Sequence, residues 1–309
     1  MTVYARGYRA YAGPLGGPPA WWVVFRANAA SLARTRSMRV MDTLLLVLAC
    51  AVGVLLYVQV GLGERIFARG MRGDDPARLL QDHRLALLTA LRVYYTAASV
   101  VIVLLSILTG AGLVADDLRA RTLSLVMVRP VRPLDYALGK ALVMPWFILT
   151  RAALPGLAMW LLVGAWQAPG QTQAFWAVAS DVPGVVASFS LLAAGAYTGL
   201  VLLISSGTPR RAVASGLAAA VLFGGLVVRG IGLHVSGLQG EAFRLASLST
   251  NALAPVLEAH WRAREGFSRQ EWLLARVPDT GAAAWLAVGL LLLGFVRTWW
   301  RARSVEVSE

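Results

Sequence analysis

Six runs of roughly twenty mostly apolar residues dominate the chain, each long enough to cross a hydrocarbon core about 30 Å thick. They occupy residues 43–62, 93–115, 141–166, 185–206, 212–233 and 281–300. Backbone polar groups in lipid must be bonded internally, so runs of this length predict an all-α integral membrane protein with six transmembrane helices. The composition agrees: 58% hydrophobic and 15% charged residues lie outside the range of a soluble globular domain. Arg229 and Arg297 sit near the ends of the last two runs, where shorter or re-entrant segments are the alternative.

The first twenty residues are rich in Tyr, Gly and Pro and lack the apolar core of a cleavable signal, so residues 1–20 read as a flexible tether and the first span as retained. Residues 21–40 place Trp21, Trp22, Val24, Phe25, Leu32 and Met38 among Arg26, Arg34, Arg36 and Arg39. That mixture fits an amphipathic interfacial helix, with rings at headgroup depth and guanidiniums toward anionic lipid. A simple extension of the first span is the plainer alternative. The six-helix transmembrane domain then covers 41–300, with a long outer loop at 234–280 and a short tail at 301–309. The lone cysteine, Cys50, permits no intrachain disulfide.

Charge orients the chain. The net charge is +13, and the connection 116–140 carries Arg119, Arg121, Arg129, Arg132 and Lys140, whereas 167–184 has no basic residue. The positive-inside rule puts the first of these in the cytoplasm, and with it both termini and the Arg210-Arg211 turn. Residues 63–92 and 229–280 weigh against this with six arginines each, largely offset by acids. Membrane lipids account for the basic excess, and no separate basic domain exists to bind nucleic acid.

The search for catalytic groups returns absences. His83, His234 and His260 are far apart and lack metal-ligand spacing, no GxSxG elbow occurs, and no acid pair lies inside a span. Gly139-Lys140 resembles the end of a phosphate-binding loop, but Leu134 stands where the earlier glycine belongs and Ala141 where Ser or Thr belongs. The chain is therefore expected to be no enzyme by itself and to hold neither metal nor cofactor.

The connection DDLRARTLSLVMVRPVRPLDYALGK, 116–140, is the most informative stretch. Asp116 and Asp117 read as the start of a short amphipathic helix running from 118 to about 128, where carboxylates would cap free N–H groups. Pro130 and Pro133 disfavour helix at Arg129 and Arg132, so the chain breaks there and restarts into the third span. A stiff bracket between two spans results.

The pattern Asp116-Asp117, Arg121-Thr122-Leu123, Arg129-Pro130, Arg132 and Leu138-Gly139-Lys140 resembles the signature between the second and third helices of type-2 ATP-binding-cassette exporter permeases. The resemblance spans the six helices and the N-terminal segment, and YRAYAGPL is also similar to bacterial members. It departs at Arg121, where a small residue usually precedes Thr-Leu. The resemblance implies that residues 116–133 form a cytoplasmic coupling helix seated on a separate ATPase subunit, which would bind ATP and Mg. Asp116, Asp117, Arg119, Arg121, Thr122, Leu123, Arg129, Pro130 and Arg132 are then the coupling candidates. It also implies a second copy or a related permease, a bacterial inner membrane, and short helices dipping back from the outer loop. Residues 243–262 are the candidates for those helices, although Arg244, Glu258, Arg262 and Arg264 argue against deep insertion.

Two further features stand out. Small residues recur at four-residue spacing, Gly195 with Gly199 and Gly216 with Ala220 and Gly224, which allows close helix packing within or between protomers. Arg151 lies 11 residues beyond Lys140, about 16 Å into the membrane, where a charge is costly. No carboxylate partner is evident for it, and Pro155 lacks the N–H that would bond its carbonyl. A pathway residue meeting an anionic cargo is one reading; a side chain snorkelling to the headgroups is the other. The function expected from all this is an export permease driven by a separate ATPase. The alternative is a membrane scaffold or regulatory subunit that docks an ATPase and transports nothing; a lipid-modifying enzyme is disfavoured by the missing acid and histidine clusters.

Overall fold

The computed structural model describes residues 18–62, 76–120, 131–167, 170–232, 245–263 and 279–306. Every regular element among them is helical. In chain order they are α1 (Ala20–Ala33), α2 (Arg36–Tyr57), α3 (Pro76–Leu105), α4 (Gly112–Arg119), α5 (Pro133–Ala165), α6 (Thr172–Val178), α7 (Val182–Ser205), α8 (Arg211–Gly232), α9 (Leu248–Arg262) and α10 (Thr280–Glu306). Six helices are long and apolar enough to cross a membrane, Arg36–Gly61, Ala77–Arg119, Pro133–Ala165, Val182–Ser205, Arg211–Arg229 and Thr280–Ser304. The protein is a multi-pass, all-helical membrane protein.

Helix boundaries follow local chemistry. Thr35 is the N-cap of α2, its hydroxyl accepting from the Met38 N–H at 3.3 Å, so the chain bends between α1 and the first span. The expected interfacial helix is therefore shorter than 21–40: it ends at Ala33, and residues 36–40 belong to α2. Pro133 occupies the first turn of α5, where its missing N–H costs nothing. The second span begins at Ala77, well before 93, because a helix need not stop where its hydropathy falls.

The second and fourth spans form the core, and α2, α8 and α10 present most of their surface outward. Close approach fixes the centre. Gly199 lies against the backbone of Leu290 and Leu291, and Gly294 against the Gly199 carbonyl, so α7 and α10 cross with main chains touching. A β-carbon on Gly195 would stand at ordinary contact distance, 3.5 Å from Ala287. Gly216 and Gly224 meet nothing within 4 Å, and Ala220 is exposed, so that second small-residue row lies open on α8.

α9 packs on α3 and α7 with Leu248, Ala252, Leu253, Ala254 and Val256 buried. The Ala246 carbonyl reaches Gly225, about 10 Å inside the end of α8 at Gly232. Within α9 the charges stand at Glu258 and Arg262, toward its C-terminal end, and residues 248–257 are uncharged; Arg244 and Arg264 lie outside the described residues.

Candidate functional site: a polar clasp at one end of the bundle

Asp116 and Asp117 do not begin a helix. They lie in the last turn of α4, which ends at Arg119. Their carboxylates face a helix C-terminus, an unfavourable place for negative charge, and cations from other helices compensate. The Lys140 ammonium stands 2.8 Å from Asp117 Oδ2, and Arg211 reaches Asp116 at 3.5 Å. The hydroxyl of Tyr136 donates to Asp117 at 2.7 Å.

Lys140, the chain's only lysine, is the hub. Its side chain is 4% exposed, and its ammonium also donates to Asn28 Oδ1 at 2.7 Å and to the Leu113 carbonyl at 2.6 Å. Three donors and three acceptors match, which a buried ammonium requires. Gly139 makes this possible: a β-carbon there would sit 2.7 Å from Val24 and 2.8 Å from the Trp21 carbonyl, so only glycine lets α1 lie close enough for Asn28 to reach. A cavity of about 260 Å³ opens beside the cluster, between Asn28, Thr35 and Arg211.

A π turn at Ser106–Gly110 joins α3 to α4 and extends the clasp. Such turns leave carbonyls out of register. Ser215 donates to the Ile107 carbonyl at 3.1 Å, and Arg211 donates to that of Leu108. The start of the fifth span is thereby tied to the end of the second by side chains one turn apart. Nearby, Tyr136 and Ala302 are buried together with Val24 and Leu118 packed on them, so the N-terminal helix, the third span and the last helix converge at the same end.

Of the coupling candidates, Asp116 and Asp117 fall in this clasp, Arg119 is exposed beside it, and Arg132 is the exposed N-cap residue of α5. Arg121, Thr122, Leu123, Arg129 and Pro130 lie outside the described residues, as does most of the expected helix over 116–133.

Arg151 has the carboxylate partner that seemed missing. Asp42, one residue before the run that marks the first span, accepts from its Nε and, at 2.8 Å, from its Nη2. Arg151 also donates to Thr150 Oγ1 at 3.0 Å, and its guanidinium lies 4.6 Å from the Phe147 ring centre. The carbonyl orphaned by Pro155 is satisfied too, by the Tyr94 hydroxyl at 2.9 Å. Tyr95 donates to the next carbonyl, Ala152, at 3.1 Å, and Gly156 leaves the space for its hydroxyl. The turn of the third span around Pro155 is thus held by two tyrosines of the second.

Among the described residues no group of three His, Cys, Asp or Glu side chains comes together to hold a metal. No family model matches the chain, and no curated protein matches it.

Proposed function

We propose that the protein is the membrane permease of an ATP-binding-cassette exporter, with ATP and Mg held by a separate cytoplasmic ATPase. The observation that supports this reading most directly is the clasp. The segment that leaves the second span at residue 120 is rooted, through Asp116, Asp117, Arg211 and Lys140, in the second, third and fifth spans and in α1. A displacement applied to residues 116–133 would therefore be delivered to three membrane helices at once. In this reading the clasp end faces the cytoplasm of a bacterial cell, two copies or this chain and a relative enclose the pathway, and Arg151 lines it. An anionic cargo would compete with Asp42 for the Arg151 guanidinium.

The Asp117–Lys140 pair changes how docking is tested, because Asp117→Ala would disturb the fold as well as any contact with an ATPase. Arg121→Ala with Arg129→Ala avoids that. The full-length chain, purified with its ATPase and placed in proteoliposomes, is expected to show substrate-stimulated ATP hydrolysis that the double variant loses. Arg151→Gln is expected to keep basal hydrolysis and lose transport of an anionic amphiphile. An intact chain that retains no ATP-hydrolysing subunit would overturn the permease reading. Hydrolysis indifferent to every substrate would favour the scaffold.

A further inference from the structure

Beside the clasp, on its outer side, a cavity of about 480 Å³ lies between the end of α4 and the start of α8, lined by Leu118, Arg119, Pro209, Arg210, Arg211 and Ala212. Three guanidiniums border it and no carboxylate lines it; of the two acids beside it, Asp117 is held by Lys140, and Asp116 meets Arg211 in a long, half-exposed contact. Arg119 and Arg210 are exposed and form no ion pair among the described residues. Such a group is electrostatically unfinished, and the guanidinium fork matches phosphate oxygens.

The position of the cavity selects the phosphate's carrier. One candidate span ends at Arg119 and another begins at Arg211, so the cavity stands at headgroup level. Its remaining walls, Leu118, Pro209 and Ala212, are apolar. Along α8 from there, Val213, Leu217 and Val221 are 45%, 49% and 46% exposed, a stripe at four-residue spacing. Beside that stripe runs the open row of Gly216, Ala220 and Gly224, a shallow furrow without side chains to fill it. A basic pocket between membrane helices, with an open apolar furrow beside it on α8, has the form of an anionic lipid site.

We propose that Arg119, Arg210 and Arg211 bind the phosphodiester of an anionic glycerophospholipid, with an acyl chain lying in the α8 furrow. The inference requires only that these helices span the membrane and does not depend on an ATPase partner. Lipid binding to the purified chain alone therefore tests it separately from the exporter reading.

The test is native mass spectrometry of the full-length protein in detergent, titrated with phosphatidylglycerol, with phosphatidylcholine, or with inorganic phosphate. Phosphatidylglycerol is expected to bind in preference to phosphatidylcholine, and Arg119→Gln with Arg210→Gln to weaken it by roughly tenfold or more. A control pair with the same charge change on the exposed last turns of α10, Arg301→Gln with Arg303→Gln, is expected to leave it unchanged. Gly216→Leu with Gly224→Leu, filling the furrow and leaving every arginine in place, should weaken phosphatidylglycerol binding and not that of inorganic phosphate. Equal losses in the Arg119/Arg210 and Arg301/Arg303 pairs would overturn the site, as would no loss in the first. Binding of inorganic phosphate that excludes phosphatidylglycerol would overturn the lipid assignment.

Discussion

The two ends of the helix bundle are closed by different physics. At the clasp end, Lys140, Asp116, Asp117 and Arg211 tie three elements, α4, α5 and α8, with charge. About 30 Å away along α5, Trp160 and Trp176 meet edge to face with centroids 4.5 Å apart, Phe175 packs 5.5 Å from Trp176, and Tyr57 and Trp166 stand 5.1 Å apart. Polar groups there serve the rings: Trp160 donates to the Ala179 carbonyl at 3.0 Å, and His83 meets Gln167 at 3.1 Å. Ionic ties are directional and fail abruptly when the partner shifts, whereas ring packing is broad and yields by sliding. Partner-specific contacts thus hold the first end, and buried ring surface holds the second.

The contrast breaks most visibly at Lys140. Lys140→Met strands a carboxylate and removes three hydrogen bonds at once, an effect of about 3–5 kcal/mol for a broken buried pair. A large drop in thermal midpoint in nanodiscs is the expected result. Adding Asp117→Asn should recover part of it, because the stranded charge is gone; if the double variant is worse than the single, the pair is not what holds this end.

At the aromatic end the corresponding weak point is Gly164, whose added β-carbon would overlap the Trp176 ring. Gly164→Ala should cost about 1–3 kcal/mol, as overpacking does. The tryptophan environment should change with it, read as a shift in near-ultraviolet circular dichroism. Lys140→Met should leave that signal alone.

The smallest effect belongs to an exposed ion pair at the aromatic end. Arg84 meets Asp181 at 2.6 Å with side chains 22% and 45% exposed. Arg84→Gln should change stability by no more than about 1 kcal/mol, and less in high salt. A loss comparable to that of Lys140→Met would erase the distinction between the ends.

What could be seen in the sequence and what could not divides along the same physical line. The spans were legible because hydropathy over about twenty residues is a local property. Asp116 and Asp117 read as an N-cap because two acids followed by an amphipathic stretch have that pattern. Their true place in a closing turn depends on Lys140 and Arg211, which lie 23 and 95 positions beyond Asp117 and Asp116. Asp42 escaped notice for a related reason: charge defines the edge of an apolar run, so a residue at the edge is discarded with it. Glycine positions were visible but their uses were not, since Gly199 meets another main chain whereas Gly216, at the same kind of spacing, meets nothing.

The docking of α1 carries a consequence for biosynthesis. Asn28 and its partner Lys140 are 112 positions apart, and the surface that receives Val24 is completed by Ala302. At about 5–20 residues per second, the ribosome delivers the first part of that cradle many seconds after α1 has emerged, and the last part only with the final helix. Throughout that interval the face of α1 that carries Val24 and Asn28 lacks these partners. Docking of α1 is therefore among the last steps of assembly, completed only when the third span and the final helix are in place.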